Sequence, residues 1–239
     1  MPKYKAVLLD LDDTLTKSNL IYNEALRYAA EFLSKKYSLS LEELYSLLKE
    51  KYKVVSQSFP TVHTRHSRIL IFRQALDEMV GKYDLSLLPD VEDLYWDFFL
   101  DHIETYPGVE STLAELRKHG IKIAIVSDGS LSLRIRKIKA SGLMQYVDQV
   151  IASEEVIFEK PFSAIFTLAL SRLEVEHYDA IMLGNNYKND ISGAQQVGIR
   201  SGIFDPIKDG NVEGKNETIK PDFILHQFPE LLKEVGLPM

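Results

Sequence analysis

The sequence predicts an α/β protein, a doubly wound parallel sheet interrupted after its first strand by an all-helical insert. Three observations predict it. Beyond residue 106, short apolar runs alternate with amphipathic helical patterns, the rhythm of strand–helix–strand units. Those runs are almost continuously apolar, as strands covered on both faces must be. Residues 17–104, by contrast, hold four helical patterns and no convincing strand.

The first strand is read from "KAVLLDL", a short β-prone run that ends in acids. "LIYNEALRYAAEFLSKKY", "SLEELYSLLKEKY", "RHSRILIFRQALDEMV" and "DVEDLYWDFFLDHIE" follow as amphipathic helices. Because one strand precedes these helices and the others follow, they form an insert, 17–104, expected to cap the strand ends of a core made of 1–16 and 105–239. In the core, "IKIAIVS", "QVIAS", "AIMLGN", "IRSGIF" and a last short "DFIL" read as strands. Helices are expected at "VESTLAELRKHG" and "LSLRIRKIKASG", each stopped by glycine, at "PFSAIFTLALSRL" behind Pro161, at "NDISGAQQVG" and at "PELLKEVG". The Gly-, Asn- and Lys-rich stretch 205–222 reads as a surface loop. Tyr95, Phe98 and Phe99 fall at helical spacing and are expected in the core of the insert.

With 239 residues, 45% of them hydrophobic, the chain can bury one large core plus a modest insertion. A formal charge of −7 and a pI near 5.4 give no electrostatic reason to bind nucleic acid. No cysteine is present, which removes disulfides, thiolate nucleophiles and Cys-ligated zinc and suits a cytoplasmic protein. The N-terminal apolar run, broken by Asp10, is too short for a signal peptide core or a membrane span.

In such a sheet the ligand site lies at the carboxyl ends of the strands, so the residues just after each strand are the candidates. Asp10, Asp12 and Asp13 crowd "DLDDTLT". Carboxylates this close repel, and a divalent cation is the usual remedy. In an open turn Asp10 and Asp12 can both face the crevice, one as nucleophile and the other as acid and base. In "VSDGS", Ser127 offers a hydroxyl, Asp128 follows it, and Gly129 allows backbone N–H groups close to a phosphate. Lys160 stands before Pro161, where its ammonium can meet carboxylate and phosphate charge. Finally "MLGNNYKND" ends an apolar run at Gly184 and places two asparagines and one acid, Asp190, in a polar loop.

D-x-D-x-T, a strand-ending serine, Lys-Pro and G-N-N-x-x-N-D occur in this order, each at a strand terminus. The combination resembles the haloacid dehalogenase (HAD) superfamily of aspartyl-phosphate hydrolases, over residues 5–16 and 107–235 and in the position of a helical C1 cap. The resemblance implies Mg²⁺-dependent hydrolysis of a small phosphorylated metabolite, in which Asp10 attacks phosphorus and Asp12 protonates the leaving oxygen and then activates water. Thr14 steadies the loop around Asp12, while Ser127 and Lys160 hold phosphoryl oxygens. Mg²⁺ prefers six oxygens, and Asp10, the Asp12 main-chain carbonyl and the "GNNYKND" loop with Asn185 and Asp190 are the implied protein donors.

One departure stands out, because most members of the family carry an acid directly after that glycine and this chain has Asn185. An amide oxygen still ligates but brings no charge, so weaker Mg²⁺ binding is expected. The acid at Asp12 argues against a metal-free dehalogenase. A phosphomutase shares Asp10, Asp12 and Lys160, and a HAD-like protein that binds a ligand with little turnover stays open as well. In the insert, "TVHTRHSRIL" groups His63, Arg65, His66 and Arg68. Arg65 and Arg68 are candidates to grip a second negative group on the substrate, against the alternative of a solvated basic helix start.

Overall fold

Among the described residues, six parallel strands form one sheet in the order β3-β2-β1-β4-β5-β6: β1 (Ala6–Leu9), β2 (Lys122–Ser127), β3 (Gln149–Ala152), β4 (Ala180–Gly184), β5 (Arg200–Phe204) and β6 (Phe223–Leu225). The structure is a computed structural model that describes residues 2–208, 212–215 and 218–238. Each apolar run read from the sequence contains one of these strands. The first is the most shortened, since the ladder of β1 stops at Leu9 and the chain turns at Asp10.

Leu9 lies opposite Ile125 of β2 on one side and Leu183 of β4 on the other, so the carboxyl ends of these three central strands share one edge. Strand order reverses between β1 and β4, which makes this edge the topological switch point where ligands of open α/β sheets bind. Both faces of β1 are covered, which explains its unbroken apolarity. Val7 and Leu9 join Leu113 and Leu116 of helix α5 (Val109–Lys118) on one face. Ala6 and Leu8 join Ile165, Phe166 and Ala169 of α7 (Ala164–Leu173) on the other. Between these helices in sequence lies α6 (Leu131–Ala140), and the chain later forms two short helices, α8 (Gly193–Gln196) and α9 (Leu231–Glu234). The helix expected from "NDISGAQQVG" begins as a π-helical turn, Tyr187–Ser192, that runs into α8. Within the loop expected at 205–222, residues 209–211 and 216–217 lie outside the described residues. Glu213 in that loop accepts a hydrogen bond from the Tyr187 amide at 2.9 Å.

The chain divides into two compact units, Met1–Lys17 with Glu104–Met239, and Ser18–Ile103. Within the first unit, the outgoing and returning segments run side by side. Thr16 bridges Thr105, the Lys17 amide donates to the Glu104 carbonyl at 2.8 Å and the Tyr106 amide to Leu15 at 2.9 Å.

The second unit is helical: α1 (Ser18–Tyr37), α2 (Leu41–Ser58), α3 (Arg68–Met79) and α4 (Leu87–Asp101), with a 3₁₀ turn at His63–His66. Ser40 and Ser67 cap α2 and α3 by accepting from the Glu43 and Leu70 amides. Its core includes Leu33, Leu44, Leu48, Phe72, Tyr95 and Phe99. Phe98 departs from the expected core face, lying half-buried beside Tyr28 and stacked on His102, while Trp96 is buried in its stead. Residues 95, 96 and 99 form the inward stripe because they fall within one turn on one side of the helix.

The basic stretch is not a solvated helix start. The Arg68 guanidinium lies 5.0–5.5 Å from the ring centres of Tyr22, Tyr52, Tyr95 and Trp96, is buried, and donates to the His66 carbonyl at 3.1 Å. Arg65 donates through Nε and Nη2 to Ser56 Oγ at 3.2 and 2.9 Å. Arg68, a candidate to grip a second negative group on the substrate, is packed within the helical unit, held by ring quadrupoles and by its buried stem. No described helix is long and apolar enough to cross a membrane.

Arg68→Ala removes the cation from four rings and leaves a cavity. It is expected to lower unfolding free energy by about 2–4 kcal/mol, read by chemical denaturation, with Arg68→Lys intermediate.

Candidate active site

Asp10 is the first residue past β1, tied to β4 by its amide, which donates to the Leu183 carbonyl at 3.0 Å. Its carboxylate is buried at the switch point and held from two sides. Lys160 Nζ donates to Oδ1 at 2.6 Å, and Thr14 Oγ1 to Oδ2 at 3.2 Å. The same Thr14 hydroxyl is 3.5 Å from Asn185 Oδ1, so an oxygen of Asp10 and the amide oxygen of Asn185 converge on one point. The first asparagine of "GNNYKND" therefore turns inward.

Asn186, the second, serves the backbone. Its side chain accepts from the Asn189 amide at 2.8 Å, and its own amide donates to Asp190 Oδ2 at 3.0 Å. Asp190 is buried, and its other oxygen receives Lys160 Nζ at 2.6 Å. A Cβ on Gly184 would stand 2.3 Å from the Asp190 carboxyl, so only glycine at the end of β4 leaves that carboxylate its place. Asp190, expected among metal ligands, has both oxygens engaged by Lys160 and Asn186 and stands behind the lysine.

Lys160 ties these parts together. Its ammonium reaches Asp10, Asp190 and the Val126 carbonyl at 3.1 Å, next to Ser127, which is buried at the end of β2. Its amide donates to Asp128 Oδ1 at 2.9 Å. Burial by itself would lower the lysine pKa, but Asp10, Asp190 and Asp128 outweigh it and hold the ammonium above the ordinary lysine range. The acids respond in kind. Burial, opposed by Lys160 and reinforced by Asp190, pushes Asp10 up to about 6; burial likewise raises Asp190, and takes Asp128 up to about 6.

The "VSDGS" turn differs from its expected role as an amide cradle for phosphate. The Gly129 amide donates to Ser153 Oγ at 2.9 Å, and the Asp128 side chain accepts from Lys160, so this amide and this carboxylate brace the loop. Gly129 sits at φ +119°, and a Cβ there would lie 2.5 Å from Arg134 Nη2. The space that glycine leaves is filled by an arginine, which goes on to Asp12.

Asp12 is the half-buried acid of the turn, with cations on both carboxylate oxygens. Arg134 Nη1 is 2.5 Å from Oδ2, and Lys137 Nζ is 2.7 Å from Oδ1 and 2.9 Å from Oδ2. Neither cation stands out in the sequence, because "LSLRIRKIKA" reads as an ordinary amphipathic helix with a basic side. The signal that was there is the spacing of Arg134, Lys137 and Ile138 on one face.

Oxygen donors suited to a hard cation are present but sparse. Among the described residues, no three acidic or imidazole side chains come together to hold a metal. Asp10 and Asn185 supply side-chain oxygens at one point, and the main chain at Asp12 is adjacent in sequence. That set fits Mg²⁺, which keeps waters and phosphate oxygens in much of its shell. His63, Arg65, His66 and Arg68 belong to the helical unit.

Comparison with known proteins points the same way. A sequence profile for haloacid dehalogenase-like hydrolases matches residues 4–198. The ribulose-1,5-bisphosphate 5-phosphatase of Halopiger xanaduensis is 32% identical over 209 residues, 86% of this chain and 87% of that one. The glyceraldehyde 3-phosphate phosphatase of Methanopyrus kandleri is 32% identical over 234 residues, 97% of both chains. The crystal structure of a HAD phosphatase from Thermococcus onnurineus superposes with a TM-score of 0.74 at 26% identity, covering 97% of this chain and 98% of that one.

Proposed function

The chain belongs to the haloacid dehalogenase-like hydrolases, and on that premise we propose that it is a phosphatase of small phosphorylated metabolites working through an aspartyl-phosphate on Asp10. The observation that carries the reading is the Asp10 carboxylate, buried at the carboxyl end of β1 against the Lys160 ammonium at 2.6 Å. An oriented carboxylate in a low-dielectric pocket, anionic above about pH 6, is a nucleophile, and the same ammonium offsets phosphoryl charge.

In the first step an Asp10 oxygen bonds to phosphorus as the bond to the leaving oxygen breaks, and Asp12 gives that oxygen a proton. In the second, water attacks phosphorus, its proton passes to Asp12, and the Asp10–phosphorus bond breaks to release phosphate and restore the carboxylate. Thr14 holds Asp10 in line, and Asp190 keeps Lys160 aimed at it. Asp10, the Asp12 carbonyl and Asn185 would hold Mg²⁺, which supplies charge neutralisation between nucleophile and phosphate. Substrates named for the relatives, ribulose-1,5-bisphosphate and glyceraldehyde 3-phosphate, define the first panel to test.

Against that panel and p-nitrophenyl phosphate with Mg²⁺, Asp10→Asn is expected to lose at least about a thousandfold in kcat/KM. A mutant as fast as wild type on every phosphate removes the reading. Asn185→Asp adds a charge to the donor set and is expected to tighten Mg²⁺ about tenfold by calorimetry; an unchanged affinity would show that residue 185 is not a ligand.

The raised pKa of Asp10 sets a pH dependence. Folding favours its protonated form, so the anion is only half formed at about pH 6 and is lost as pH falls through that value. Proton and cation compete for the same oxygens. The apparent Mg²⁺ affinity is therefore expected to be level above about pH 7 and to weaken up to about tenfold per unit below about pH 6, measured by calorimetric titration across that range.

A further inference from the structure

Helix α6 turns the wrong residues inward. Ile135 is 40% exposed, whereas Arg134 and Lys137 are 4% and 0% exposed. An amphipathic helix on a sheet would bury the isoleucine and leave both cations in water. Arg136 and Lys139 of the same helix do remain exposed, so the inversion is specific to one pair. Desolvating an ammonium and a guanidinium is costly unless a counter-charge meets them, and the carboxylate that does so is Asp12.

The geometry is that of a clamp. Arg134 and Lys137 lie one helical turn apart and approach the Asp12 carboxylate together, at 2.5 Å and at 2.7 and 2.9 Å. Both oxygens are engaged, which removes the freedom of the carboxylate to rotate about its own axis. The missing Cβ of Gly129 gives the guanidinium its path, and the Gly129 amide is pinned to Ser153 at 2.9 Å, so the path itself is rigid. Lys160 performs the equivalent service for Asp10, yet it touches the reacting carboxylate itself. Arg134 and Lys137 act one residue removed from it.

We propose that Arg134 and Lys137 are positioning residues for Asp12, holding its carboxylate in the one orientation from which it serves the leaving oxygen. This rests on the phosphatase reading above. Their contribution is then felt in proportion to how much the leaving group needs a proton, because an acidic phenol departs without help and a weakly acidic one does not.

The test uses the full chain and a series of substituted phenyl phosphates, with Mg²⁺ present. kcat/KM isolates the step in which the phenol leaves. In Lys137→Met it is expected to fall at least about tenfold for the least acidic phenol but less than about threefold for p-nitrophenol, steepening the dependence on leaving-group acidity. Arg134→Lys, which keeps a cation, is expected to retain the wild-type slope. The pair Asp12→Asn with Lys137→Met removes one charge of each sign from the clamp, and it is expected to be no slower than Asp12→Asn alone. Losses equal for every phenol, or a double variant slower than Asp12→Asn, would overturn the proposal in favour of a merely structural role. A faster Lys137→Met would overturn it too, by showing that the clamp restrains Asp12. The carboxyl ¹³C resonance of Asp12, recorded without substrate, reads the clamp independently of turnover. It is expected to move and broaden in Lys137→Met, and an unmoved resonance refutes the clamp. Failure of the phosphatase reading is separately visible as an Asp10→Asn protein as active as wild type.

Discussion

The Lys160 ammonium is the group around which the core is arranged. It sits buried between the carboxylates of Asp10 and Asp190 at 2.6 Å from each, with the Val126 carbonyl as a third partner. An isolated buried ammonium is unfavourable by several kcal/mol, and so is each buried carboxylate. Together they are tolerable, and removing any one would strand the others. The lysine thus joins the ends of β1, β2 and the turn after β4 in one electrostatic unit.

The same logic accounts for the glycines and asparagines around it. Gly184 has no Cβ, which gives Asp190 room to reach the lysine. Asn186 uses its side chain to close the π-helical turn and its amide to hold Asp190, so a residue that resembles a ligand in sequence is a structural cap. Asn185 points instead toward the Thr14 hydroxyl and Asp10. One uncharged oxygen stands where most of the family has an acid. Four carboxylates, those of Asp10, Asp12, Asp128 and Asp190, are met by three cations, Lys160, Arg134 and Lys137, so much of the local charge is balanced by the protein's own side chains.

Asp12 shows how a second acid two positions along the turn becomes different from the first. Asp10 is buried against a lysine at the sheet edge, while Asp12 is half-exposed and gripped by two cations of α6. Two chemically identical side chains gain distinct surroundings, the condition for dividing nucleophilic and acid–base work between them.

Strand positions, the helical insert and the order of the site residues were legible from the sequence, because each rests on local periodicity or on residues adjacent in the chain. "AIMLGN" could only be a covered strand with a polar exit, and "DLDDTLT" could only crowd carboxylates at another. Contacts between residues far apart in sequence were decided by the tertiary structure. Asp190 turned behind Lys160, the Gly129 amide was taken by Ser153, and Arg68 was enclosed by four rings of the helical unit. Arg134 and Lys137 are the clearest case. Composition marks them as surface cations, and the approach of Asp12 from more than a hundred residues away helps make their burial affordable, since a counter-charge in space, not in sequence, offsets the loss of water.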